Sequence, residues 1–237
     1  MRKRNGRTLF YAGWSRGAWF LLASFVSSQV SAGSLDKIKS GENPLCKIVQ
    51  ENVASGDILF TSSDSEVFQK VAKSTLSWTS HVGLALAESD KQIYIYESTL
   101  PVSKKTKLCD FVKRTSKEQI AILRPRTKID SFSLQRLKFK AESLLGRVYH
   151  TGFDYDSKTR MYCSKFVYDI YIEALGIEIG YIETFADLIR KNPDPELIKF
   201  WDKWFLGKIP EHRRVVTPAS QLEDNDLEMI FTTLDNP

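Results

Sequence analysis

A thiol, an imidazole and a carboxylate follow one another along this chain in an arrangement that can support acyl transfer. Cys163 opens a helical pattern in which Phe166, Val167, Ile170, Tyr171 and Ala174 make one apolar face and Gly176 ends the run. A thiol attacks as its thiolate, and a helix N-terminus favours that ion through unpaired N–H groups and the positive end of the dipole. Position 163 also falls on the apolar face, where a buried structural cysteine fits equally well. The helix pattern alone leaves both readings open.

A nucleophilic thiol needs a base within hydrogen-bond reach. The histidines are His81, His150 and His212. His81 begins the β-rich run His81-Val82-Gly83-Leu84-Ala85-Leu86, and Ile93-Tyr94-Ile95-Tyr96-Glu97-Ser98 follows a polar turn at Glu88-Ser89-Asp90-Lys91. The two runs read as a hairpin. A loop centred near residue 89 puts His81 across from about Glu97, with Cβ atoms about 5 Å apart on one face. A carboxylate there can hold the imidazole in the tautomer a base requires. A one-residue slip breaks that pairing and leaves Ser98 and Thr99 as competing orienters. His150, in Tyr149-His150-Thr151-Gly152-Phe153, and Tyr162, beside the thiol, are the expected substrate-side residues; His150 serves equally as a loop anchor. His212 sits against Arg213 and Arg214 and reads as surface.

These side chains need a scaffold. A lead-in over 33–54 with a short helix precedes a strand at Ile58-Leu59-Phe60. A helix over 64–75 follows, capped by Asp64 or Ser65. After the hairpin come a strand at 119–124 stopped by Pro125, a helix over 131–145, the Cys163 helix, helices over 183–191 and 195–206, and a strand at 228–233. This mixture of helices with antiparallel strands predicts an α+β fold. The aromatic stretch Phe200–Phe205 is expected to pack, or to line an apolar groove.

Composition narrows the function classes. Arg2, Lys3, Arg4, Arg7 and Arg16 precede or flank the apolar run Ala18–Val26, and small residues end at Val30-Ser31-Ala32. That is the pattern of a cleaved signal peptide over 1–32, with export to a periplasm or the outside as the expected location. Those five are part of 34 basic residues against 29 acidic ones, so the remainder carries 29 of each. The basic character belongs to the targeting segment and gives no reason to expect nucleic-acid binding. No later stretch is apolar enough to span a membrane.

Of Cys46, Cys109 and Cys163 at least one must stay unpaired; Cys46 and Cys109 can join in an oxidising compartment. Zinc-ligand spacing is missing, and Asp154 and Asp156 lack the glycine and glutamate of a calcium loop. Nucleotide, dinucleotide and serine-hydrolase motifs are missing too. No metal and no cofactor are therefore expected.

Four segments together resemble a known family: Gly56-Asp57-Ile58-Leu59-Phe60, Ser80-His81-Val82-Gly83, Tyr96-Glu97-Ser98 and Tyr162-Cys163-Ser164-Lys165-Phe166-Val167. They look like the circularly permuted papain-like amidases, the YiiX/YebB-like branch of the NlpC superfamily, and most like its YebB type. The likeness extends to Tyr149–Phe153, Ile182–Phe185 and Thr217–Ser220 and covers roughly 55–220. It implies a permuted papain-like domain over 55–237, with Cys163 as nucleophile, His81 as base and Glu97 as orienter. It also implies a peptide or amide substrate, cell-wall peptidoglycan among the candidates, and no cofactor. Lys165 stands where the branch commonly has an acid. Two rivals remain: a lipid thioesterase or acyltransferase using the same dyad, and a non-catalytic binding module with an inert thiol. The oligomeric state is not legible.

Overall fold

In the computed structural model, which describes residues 43–235, eight helices and eight strands are arranged around one central sheet. The strands β1 (Ile58–Thr61), β2 (His81–Ala87), β3 (Ile93–Ser98), β4 (Ser103–Lys107), β5 (Ile120–Pro125) and β8 (Leu227–Thr232) pair antiparallel in the order β4-β3-β2-β1-β5-β8. A two-stranded ribbon joins β6 (Ile182–Thr184) to β7 (Arg214–Val216). The expected signal peptide lies outside the described residues.

Alternation of side chains along a strand sends successive residues to opposite faces. Ile58, Phe60, Val82, Leu84, Ala121 and Leu123 face one layer; Leu59, Ala85, Ile95, Ile120 and Ile122 face another. Both faces are covered, which explains why the strands read as nearly unbroken apolar runs. The first layer holds α4 (Ser131–Ser143) and α5 (Cys163–Leu175). The second holds α1 (Pro44–Asn52) and α3 (Leu108–Val112), joined by a disulfide between Cys46 and Cys109. The helical part of the lead-in thus belongs to the core, and the folded unit starts before residue 55. A third cluster gathers Tyr149, Phe153, Tyr162, Phe185, Leu188 and Trp201 from the loop before α5, from α6 (Phe185–Lys191) and from α7 (Pro195–Trp204).

Several expectations shift. The helix expected over 183–191 begins as strand β6, and only Phe185 onward is helical. Thr184 turns the chain: its hydroxyl accepts the Asp187 N–H while the Asp187 carboxylate accepts the Thr184 N–H, a reciprocal cap. Ser65 is the N-cap of α2 (Glu66–Ser74) but its side chain makes no capping bond, and Asp64 instead accepts from the Ser116 hydroxyl. The edge strand β4 carries Lys104, Lys105 and Lys107, a charged pattern that hides a strand from hydrophobic periodicity and protects an open edge from pairing. The short helices α3 and α8 (Pro218–Leu222) span five residues each, too few for a periodic signal.

Candidate active site

Cys163 is the first residue of α5. The N-cap, Tyr162, provides no side-chain bond to the first turn. Most helices fill that position with Ser, Thr, Asp or Asn; here the free N–H groups are left to the sulfur. The backbone N–H groups of Ser164 and Val82 both face it. The thiol is 3% exposed and is the cysteine outside the disulfide.

His81 starts β2 at the end of the sheet, paired with Thr61 at the end of β1. It shares parity with Gly83 and Ala85 and so belongs to the face that carries α3, whose Phe111 ring lies 5.7 Å from the imidazole. Cys163 arrives from the opposite layer. The two side chains meet at the end of the sheet, where no further strand residue separates the layers, and they are hydrogen-bonded.

The hairpin register differs from the expected one by two residues. Leu84 pairs with Tyr96, so Glu97 falls opposite Gly83 and diagonal to His81. A two-residue displacement preserves the face, as a one-residue slip would not. His81 Nε2 therefore still reaches Glu97 Oε2, at 2.6 Å. That leaves Nδ1 for the thiol. Gly83 keeps this passage open: a Cβ there would stand 2.4 Å from Ile95 Cγ2 and 3.3 Å from Phe111. Of the competing orienters, Ser98 is buried with its hydroxyl unpartnered, and Thr99 lines the cleft.

Glu97 is fully buried and held by three donors: His81, the Thr106 hydroxyl at 2.6 Å, and Arg114 Nη2. Burial alone would raise its pKa, but these partners bring it down to about 2. Burial likewise disfavours the charged imidazole, yet the hydrogen bonds to Cys163 and Glu97 raise His81 to about 9. The thiol is pushed up by burial and pulled down further by His81 and the facing N–H groups, ending below its ordinary value. All three directions favour the ion pair: thiolate beside imidazolium, with an ionised carboxylate behind.

Two cavities flank the pair. One, of about 30 Å³, lies on the thiol side and is lined by Cys163 with Phe68, Phe153, Phe185, Leu188 and Trp201, among others. The other, of about 110 Å³, lies on the imidazole side and is lined by His81, Ser62, Ser63, Thr99, Phe111 and Arg114, with Thr61 and Phe68. Of the expected substrate-side residues, Tyr162 lines the first cavity, with its hydroxyl accepting the Val216 N–H at 3.1 Å. His150 lines neither; its Nδ1 accepts the Gly152 N–H at 3.1 Å, so it anchors its own loop. His212 is exposed, as read. Lys165 turns from both cavities to pair with Asp169 at 2.5 Å beneath the Tyr155 ring.

Tyr149 was passed over in the sequence. Its hydroxyl is buried, lines the thiol-side cavity, and has Cys163 as its hydrogen-bonding neighbour; burial first, and then the charge of the sulfur, hold the phenol well above its ordinary pKa. The signal for it was its place in a loop that leads into the nucleophile.

Comparison with known proteins supplies the family. The profile of the permuted papain-like amidase enzymes, YaeF/YiiX, C92 family, matches residues 52–231. The uncharacterized protein YiiX of Escherichia coli K12 is 28% identical over 177 residues, 74% of this chain and 85% of that protein. The crystal structure of the metalloprotein yiiX from Escherichia coli O157:H7 superposes with a TM-score of 0.71 at 25% identity, covering 76% of this chain and 98% of that one. With a profile match over most of its length, a permuted papain-like α+β fold and a free cysteine at the head of its central helix, the chain belongs to the permuted papain-like amidase family and is a cysteine hydrolase of that class.

Proposed function

We propose that the chain is a thiol amidase or peptidase working through Cys163, His81 and Glu97 by way of a thioester. The observation that carries this is the unbroken contact from sulfur to imidazole to buried carboxylate. The Cys163 thiolate attacks the substrate carbonyl. The C–N bond breaks as His81 passes its proton to the leaving amine. Neutral His81 then takes a proton from water, which attacks the thioester and restores the thiolate. The developing oxyanion is held by the Cys163 N–H and by the Tyr149 hydroxyl, which lies against Cys163. Glu97 fixes the imidazole and keeps it protonated until the amine departs.

Peptides or other amides are the substrates of this reading, with cell-wall stem peptides the first to test. The signal-peptide pattern read in residues 1–32 supports that choice, and so does the Cys46–Cys109 disulfide, a bond typical of oxidising compartments. No helix among the described residues is long and apolar enough to cross a membrane. The yiiX neighbour is described as a metalloprotein. Among the described residues here no three His, Cys, Asp or Glu side chains are grouped to hold a metal ion, and His81 and Glu97 already engage each other. No step is routed through a metal.

The apolar lining beside Cys163 favours one second reading, transfer or hydrolysis of a lipid acyl group. Its size speaks against it: about 30 Å³ holds a water or two, far less than an acyl chain. A small apolar side chain on the acyl half of an amide fits better. The deciding measurement is the rate of iodoacetamide alkylation of Cys163 against pH, in the wild type and in His81→Ala. Fast alkylation well below pH 8.5, lost without His81, supports the ion pair. A thiol that titrates as a free cysteine in both proteins sinks the hydrolytic mechanism.

A further inference from the structure

The two sides of the Cys163–His81 pair differ in chemistry, and acyl transfer assigns each side a different half of the substrate. In an amide, the leaving amine must lie on the side of the imidazole that protonates it, and the acyl group on the side of the sulfur that captures it. The thiol side is apolar. The imidazole side sets the hydroxyl residues Thr61, Ser62, Ser63 and Thr99 and the Arg114 guanidinium beside Phe68 and Phe111.

Arg114 stands half-exposed at the mouth of that cleft. Its Nε donates to the Asp110 carbonyl at 3.3 Å and its Nη2 to Glu97. Nη1 makes no hydrogen bond with the described residues. A guanidinium offers five donors in a planar fork matched to carboxylates. Two are committed, which fixes the plane, and Nη1 is left over on a half-exposed side chain. Glu97 does not exhaust the positive charge around it, because it also faces the His81 imidazolium. Arg114 is thus both anchored and incompletely used, at the place where the leaving group must sit.

We infer that the cleft between His81 and Arg114 receives a leaving amine that carries a carboxylate, an amino acid released from the carboxyl side of the cleaved amide, and that Arg114 recognises that carboxylate. This rests on the hydrolase reading above. It assigns the enzyme a direction: a small apolar residue is acylated onto Cys163, and a free amino acid departs past His81.

The test uses two peptides that differ only in that charge, N-acetyl-alanyl-alanine and N-acetyl-alanyl-alaninamide. Release of the amine is followed with each, in wild type, Arg114→Gln and Arg114→Lys. Both peptides are also tested, cleaved or not, for protection of Cys163 against iodoacetamide. The acid is expected to be preferred by about tenfold or more in kcat/KM and to protect at correspondingly lower concentration. Arg114→Gln is expected to reduce that ratio to about two, and Arg114→Lys to keep part of it. Glu97 loses a partner in Arg114→Gln, so overall rates fall; the ratio between the peptides is the quantity that reports recognition. Equal handling of the two peptides by the wild type, a ratio unchanged in Arg114→Gln, or no protection by either at millimolar concentration overturns the inference. Rapid, His81-dependent alkylation alongside any of those results leaves the Cys163–His81 mechanism standing.

Discussion

The apolar and polar cavities on either side of one thiol–imidazole pair are built by different means. The thiol side is a meeting of aromatic rings from four separate segments: Phe68 from α2, Phe153 from a loop, Phe185 from α6 and Trp201 from α7. The rings meet edge to face, Phe153 and Phe185 each against Trp201 at 6.1 and 6.0 Å. The imidazole side is assembled from a short helix, a strand end and backbone-tied hydroxyls, with α3 held to α1 by the disulfide. One side is shaped by packing, the other by charge and a covalent staple. Phe68 is the wall the two sides share; the remaining lining of each comes from different elements.

The most severe break is at the shared centre. Cys163→Ala is expected to lower amide turnover by about 10⁴-fold or more, since both halves of the site then lack a nucleophile. Glu97→Gln should lower kcat by about 10²-fold while KM changes little, as judged by steady-state rates on the preferred peptide. It also alters the acid response. A carboxylate depressed from 4.5 to about 2 adds stability above pH 4.5 that disappears as pH falls toward 2. The melting temperature of the wild type is thus expected to fall over that range more steeply than that of Glu97→Gln. His81 runs the other way. Raised from 6.5 to about 9, it contributes fully below pH 6.5 and is lost as pH rises through 9, and amide turnover should decline across the same upper limb as the imidazolium proton is lost.

Smaller changes separate the two sides. Cys46→Ser with Cys109→Ser opens a loop of 63 residues and should lower stability by about 4 kcal/mol in denaturant titration. Because the freed helix carries Phe111 and leads to Arg114, the loss of acid-over-amide preference should exceed any change in acyl preference. Leu188→Ala does the reverse. It enlarges the apolar cavity, and kcat/KM for an acyl residue one or two carbons larger than alanine should rise severalfold relative to alanine, with the leaving-group preference unchanged. A leaving-group preference that moved with Leu188→Ala would show that the two cavities are one.

The Cys163 helix was readable because a long amphipathic run announces itself, and α5 begins at Cys163 as the pattern says. The hairpin was readable in kind but not in register. Loop length and turn type set the pairing, and the shift of two residues went unnoticed by side-chain parity. Strand β4 and helix α3 were not readable, the one being lysine-rich and the other five residues long. With α3 went Phe111 and Arg114, so the cation that completes the carboxylate and the wall of the polar cleft left no local signal. Tyr149 offered only its place in the loop before α5, as an ordinary tyrosine gains meaning from what its hydroxyl touches.

The sequence by itself determined the residue types, the order His81, Glu97, Cys163, and the helix that puts the thiol at its N-terminus, because periodicity and end effects act within a dozen residues. The tertiary structure alone decided that sulfur and imidazole meet around the end of the sheet, that Glu97 is held by three donors, and that one side of the pair is apolar while the other is cationic. Those features join segments tens of residues apart. The contacts that select them exist only once the two layers have closed on the sheet.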